Sequence, residues 1–134
     1  MDETSLVVRR WIEKASRDLR TAQIMLGVAD VPTDVVCFHC QQGAEKALKG
    51  FLASVGQDVP RTHDLTELLT LCRQHDERFG PLEERAMALA DYAVEVRYID
   101  DWRDIPLDEA IAALGMAAEI MNFVRRKLGL EGSP

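Results

Sequence analysis

The sequence predicts an all-α fold, an up-and-down bundle of four long helices plus one short helix. Three observations carry that expectation. Apolar residues recur at three- and four-residue spacing over long stretches, no segment alternates as a half-buried strand does, and Pro-containing breaks such as Val31-Pro32-Thr33 and Phe79-Gly80-Pro81 separate the periodic stretches. At 134 residues the chain has the length of one domain, 1–134, with a bundle core of about 5–128, large enough to bury a core without disulfides or a metal.

Each element follows from local pattern. From Ser5 to Val28, Trp11, Ala15, Leu19, Ala22 and Leu26 mark a first long helix. The second runs from about Thr33, a candidate N-cap, to Val55. Gly56 then supplies a left-handed exit. A short third helix near Leu65, Leu68, Leu69 and Cys72 starts at Asp64, which with Glu67 resembles a capping box. Pro81 suits the first turn of a fourth helix striped by Leu82, Ala86, Leu89, Ala93 and Val96. A last long helix carries the stripe Leu107, Ile111, Leu114, Ala118, Met121, Val124 and Leu128. It ends in Arg125, Arg126 and Lys127, which complement the helix dipole, and closes on Gly129.

The second helix is the most informative stretch. At about 100° per residue, Cys37, Cys40, Ala44, Ala47, Leu48, Phe51 and Val55 fall in one arc, a core-facing stripe. His39, Gln42, Lys46 and Lys49 fall opposite, in one line along the helix. That line reads either as a ridge facing a ligand or partner, or as a solvated helix face.

Arg97 lies near the apolar stripe of the fourth helix, so it requires a carboxylate, with Asp18 and Glu45 as internal candidates, or a ligand phosphate. Tyr98 beside it offers an aromatic plane for stacking a base, or fills the helix end as a core residue. His63 reads as a loop ligand or as a neutral imidazole bonded to a loop carbonyl. Cys37, His39 and Cys40 do not converge on one ion, because the cysteines point into the apolar arc and the histidine away from it. Three free, buried thiols and no metal are expected. Gly-rich phosphate loops, Gly-x-Ser-x-Gly elbows and paired metal-binding histidines are absent, and no cofactor is expected.

Charge narrows the partners. The formal net charge is −7, which excludes holding long duplex DNA by a global basic field and leaves only local contacts to nucleic acid. The cations are twelve Arg and four Lys, and arginine suits forked contacts to phosphate. The longest stretch without polar side chains, Ala110 to Ala118, falls well short of the ~20 residues that span a bilayer. The N-terminus does not read as a secretory signal, so the expected address is cytoplasmic.

Four segments, taken in order, resemble a known family. Trp11-x-x-Lys14-Ala15-x-x-Asp18-Leu19, Phe38-His39-x-Gln41-Gln42-x-x-Glu45-Lys46-x-Leu48-Lys49, Thr62-His63-Asp64-Leu65 and Arg97-Tyr98 resemble the HEPN domain (higher eukaryotes and prokaryotes nucleotide-binding). The resemblance covers about residues 5–128. It implies a helical bundle that commonly dimerises and is often encoded in prokaryotes beside a minimal nucleotidyltransferase, in a two-component module. Several such proteins are RNA-cleaving toxins whose partner is the antitoxin. Asp18, His39, Gln42, Glu45, Lys46, Lys49, His63, Arg97 and Tyr98 fit the family pattern.

One departure qualifies what the resemblance implies. Cleaving members carry an Arg followed four to six residues later by His, and here the last histidine, His75, precedes Arg97. Placing Tyr98 on the tyrosine that follows the motif in one subgroup puts Asp91 and Val96 where the Arg and His belong. Arg73 stands too close to His75. The expectation is therefore a homodimeric, non-cleaving nucleotide- or RNA-binding partner of a minimal nucleotidyltransferase, in a toxin–antitoxin-like module. The alternative is a metal-independent ribonuclease toxin with a rearranged site, using His39 or His63 with Arg97. A third reading is a dimeric scaffold with no ligand.

Overall fold

The computed structural model describes residues 2–93 and 103–130. Its helices are α1 (Glu3–Leu26), α2 (Thr33–Ser54), α3 (Leu65–His75), α4 (Glu83–Ala90) and α5 (Leu107–Lys127), with a 3-10 turn at Glu77–Leu82 leading into α4. No strand occurs among the described residues, and the helices share one apolar core.

α2 is the axis of the bundle and is buried on nearly all sides. α1 lies antiparallel along it, and two glycines on α2 permit the close approach. A Cβ at Gly43 would stand 2.6 Å from Leu19 Cδ2 and 3.3 Å from the Ala15 carbonyl, and one at Gly50 would stand 3.2 Å from Trp11 Cβ. α5 covers another side of α2 with the fully buried Ala110, Ala113, Ala117, Ile120 and Val124. At one end of the core, Phe79 sits edge-on between Phe51 and Phe123, at centroid distances of 4.6 and 4.7 Å.

The ends of the elements follow local chemistry, with two revisions. Gly56 (φ 75°) and Gly129 (φ 73°) take the left-handed exits expected of them. The Gln57 N–H then reaches back to the Leu52 carbonyl and the Leu130 N–H to the Arg125 carbonyl. Thr33, expected to cap α2, is instead its first residue. Its hydroxyl donates to the Ile105 carbonyl at 2.8 Å and ties the approach to α5 onto α2. At α3 the Asp64 carboxylate accepts from the Thr66 N–H and the Thr62 hydroxyl accepts from the Asp64 N–H, so no reciprocal bond from Glu67 is used.

The buried stripes match in α3 and are displaced in α1 and α5. In α1 the buried line is Val8, Ile12, Ala15, Asp18 and Ala22, with Leu19 and Leu26 only partly covered. In α5, Leu107 and Ile111 are exposed at 49% and 54%, because the helix turns its alanines towards α2. Small side chains let helix axes approach closely, and the large residues are left at the rim. Val55 is also exposed, since α2 ends at Ser54. The fourth stripe, expected to reach Val96, is realised as the 3-10 turn holding Pro81 followed by the short α4. Ala93 lies beyond α4, and Val96 lies outside the described residues.

Candidate functional site

The α1–α2 contact contains a polar seam built around two carboxylates. Asp18 on α1 meets two α2 side chains seven residues apart, His39 Nδ1 at 2.9 Å and Lys46 Nζ at 2.5 Å. Two helical turns separate those α2 positions, and both side chains converge on the one carboxylate. Glu45 on α2 receives Lys49 Nζ at 3.1 Å, one turn along the same helix, and His63 Nδ1 at 3.0 Å from the loop before α3. The Gln41 amide donates to the His63 carbonyl at 3.0 Å and accepts from Gln42 Nε2 at 2.7 Å. Trp11 on α1 covers the cluster, with its ring centroid 5.7 Å from Lys49 Nζ, a cation–π distance.

Depth sorts these groups. The Glu45 and Lys49 side chains are only 4% and 7% exposed, whereas His63 is 70% exposed. Asp18, Lys46 and His39 lie between these extremes. Burial of a carboxylate or an ammonium is tolerable only with pairing and hydrogen bonds, and no buried side-chain polar atom among the described residues lacks a partner.

The arrangement matches both lysine charges internally. It also orients both imidazoles, because each presents its Nδ1 to a carboxylate. The side chains read from sequence as a ridge are thus turned inward. Lys49 is buried, while His39, Gln42 and Lys46 are partly covered.

A second cluster flanks the stretch that holds Arg97 and Tyr98, which themselves lie outside the described residues. Arg103 forks onto Glu109 at 3.0 and 2.6 Å, and the Tyr92 hydroxyl donates to the same carboxylate. The Arg103 guanidinium, and after it the Tyr92 hydroxyl, holds the Glu109 carboxyl down at about 2. Cys37, Cys40 and Cys72 are free and buried. Burial pushes their thiols up to about 11, about 12 and about 12. The cysteines face the core while His39 faces Asp18, so they form no common ligand set.

A family model of the HEPN domain matches residues 8–127. The chain belongs to the HEPN family. Among solved structures, it is similar to TT1696 from Thermus thermophilus, with 36% identity over 90% of this chain and 97% of that one and a TM-score of 0.77. It is also similar to ST0689, an archaeal HEPN homologue, with 27% identity, the same coverage of 90% and 97%, and a TM-score of 0.72. No curated protein matches. No described helix of this HEPN protein is long and apolar enough to cross a membrane.

The structure gathers most of the residues singled out from sequence. Asp18 joins His39 and Lys46, while Glu45 joins Lys49 and His63. Both carboxylates considered as partners for Arg97 thus hold other cations. Sequence reasoning assigned no role to two parts of the candidate site. Gln41, wholly buried, links Gln42, Glu45 and the His63 loop, and its place in the Gln41-Gln42 pair was the available signal. The Tyr92–Arg103–Glu109 cluster has no local signature, since its members meet only when the chain returns to α5.

Proposed function

We propose that this HEPN protein is a binding module that engages nucleotide or RNA without cleaving it, as a homodimer partnered with a minimal nucleotidyltransferase in a toxin–antitoxin-like pair. One observation carries the non-cleaving half of this reading. The chain has no Arg followed four to six residues later by His. The geometry of the seam supports it, because His39 and Lys46 are engaged with Asp18 and Lys49 with Glu45. Cleavage needs a proton-transfer group and a cation that steadies the phosphorane at one point.

The test has two parts. Co-expression with a minimal nucleotidyltransferase encoded beside it is expected to give co-purification in a fixed ratio. The purified protein, incubated with single-stranded and structured RNA without divalent metal, is expected to leave the RNA intact. Failure to co-purify overturns the partnership, and metal-independent cleavage overturns the non-cleaving reading.

One observation favours the alternative, a ribonuclease with a rearranged site. His63 is exposed and its Nδ1 is held by buried Glu45, which leaves Nε2 outward as a general base requires. Cleavage that disappears in His63→Ala but persists in His39→Ala would establish that reading.

A further inference from the structure

We propose that the outer face of α1, opposite the seam, is where this protein holds the phosphate backbone of single-stranded RNA. The inference rests on the reading of the protein as an RNA binder, and it moves the binding surface from α2 to α1.

α1 carries Arg9, Arg10, Lys14, Arg17 and Arg20 within twelve residues, all exposed. At about 100° per residue these five fall within an arc of roughly 140°, centred opposite the buried line of Val8, Ile12, Ala15, Asp18 and Ala22. None makes a salt bridge or side-chain hydrogen bond to a described residue. By contrast, Lys46, Lys49, Arg73, Arg85, Arg103 and Lys127 each reach a carboxylate. An acidic protein thus keeps on one helix a row of cations that no described residue pairs, about 16 Å long from Arg9 to Arg20 at 1.5 Å per residue.

The charge and shape of this row select the occupant. Four of the five cations are arginines, whose planar forks suit phosphate oxygens. Outside α1 the chain holds 11 cations and 20 anions (16 less 5, and 23 less Glu3, Glu13 and Asp18), so a broad polyanion such as a duplex is repelled beyond the ridge. A single strand lying along α1 stays within the positive face. Between Arg9 and Arg20, Glu13 is the one acid inside the arc, and it opposes such a ligand. It gives the proposal a test of opposite sign.

The experiment is fluorescence anisotropy with a labelled single-stranded RNA oligonucleotide over a series of salt concentrations. It compares the natural protein with Arg10→Glu/Arg17→Glu, Lys14→Ala/Arg20→Ala and Glu13→Gln, with thermal melts to verify folding. With about four phosphates neutralised, the slope of log affinity against log salt is expected to be about −3. Arg10→Glu/Arg17→Glu should weaken binding by about tenfold or more and flatten the slope, Lys14→Ala/Arg20→Ala should do so to a lesser degree, and Glu13→Gln should tighten binding. All should melt as the natural protein does. RNA binding that is unchanged in both cation variants would overturn the α1 surface while leaving RNA binding intact. Absence of RNA binding by the natural protein at low salt would overturn the surface together with the reading beneath it. Tighter binding to an acidic peptide or to duplex DNA than to the single strand would overturn the assigned occupant.

Discussion

Asp18 and Glu45 each hold one lysine and one histidine, yet they sit at different depths. Around Asp18 the partners remain partly wet, with Lys46 at 24% and His39 at 27% exposed. Around Glu45 the side chain of Lys49 is almost wholly covered, and only His63 is largely in water. The same chemical pairing therefore carries different consequences. Near the surface, water replaces a lost partner. In the interior, nothing does.

That contrast orders the expected effects. Glu45→Ala leaves Lys49 buried beside Trp11 without its counter-charge and should lower unfolding free energy by about 3–5 kcal/mol, read by urea denaturation. Asp18→Ala frees Lys46 and His39 to turn outward and should cost about 1–2 kcal/mol in the same assay. Equal losses for the two variants would remove depth as the deciding variable. The smallest effect belongs to the rim, where Arg103 and Tyr92 depress the Glu109 carboxyl to about 2. Because the folded value lies below the unfolded one, this stabilisation is complete above about 4.5, the ordinary glutamate value, and is lost as pH falls through about 2. Glu109→Gln should therefore melt slightly below the natural protein at pH 7, with a deficit that shrinks as pH drops towards 2. A second acid-sensitive point is Asp76, held well below the usual carboxylate range by Arg78 and then Lys127. Asp76→Asn should likewise blunt the fall in melting temperature below about pH 4.

The sequence made the helices legible because their periodicity and punctuation are local. Gly56, Gly129 and the α3 stripe needed no tertiary knowledge. The rotation of α5 was less legible, since counting large residues favoured Leu107 and Ile111 over the alanines that α2 accepts. The candidate site was visible as a set of residues, but their internal pairing was not. His39, Gln42, Lys46 and Lys49 do share one face, but that face meets α1, whose buried line includes the charged Asp18. Hydrophobic patterning treats a buried carboxylate as exposed, so the seam stayed hidden until its partners were placed. The arginines of α1 were overlooked for the converse reason. Their side chains find no partner among the described residues, which only the placed helices reveal.

The polar line of α2 holds the fold together, with the Glu45–Lys49 pair at its deepest point. A double-mutant cycle on Glu45→Ala and Lys49→Ala, followed by urea unfolding, tests it most directly. Each single variant is expected to be destabilised and the double variant to be more stable than the sum of the single losses, with a coupling of about 2 kcal/mol or more. Additive losses with negligible coupling, or single variants as stable as the natural protein, would contradict it.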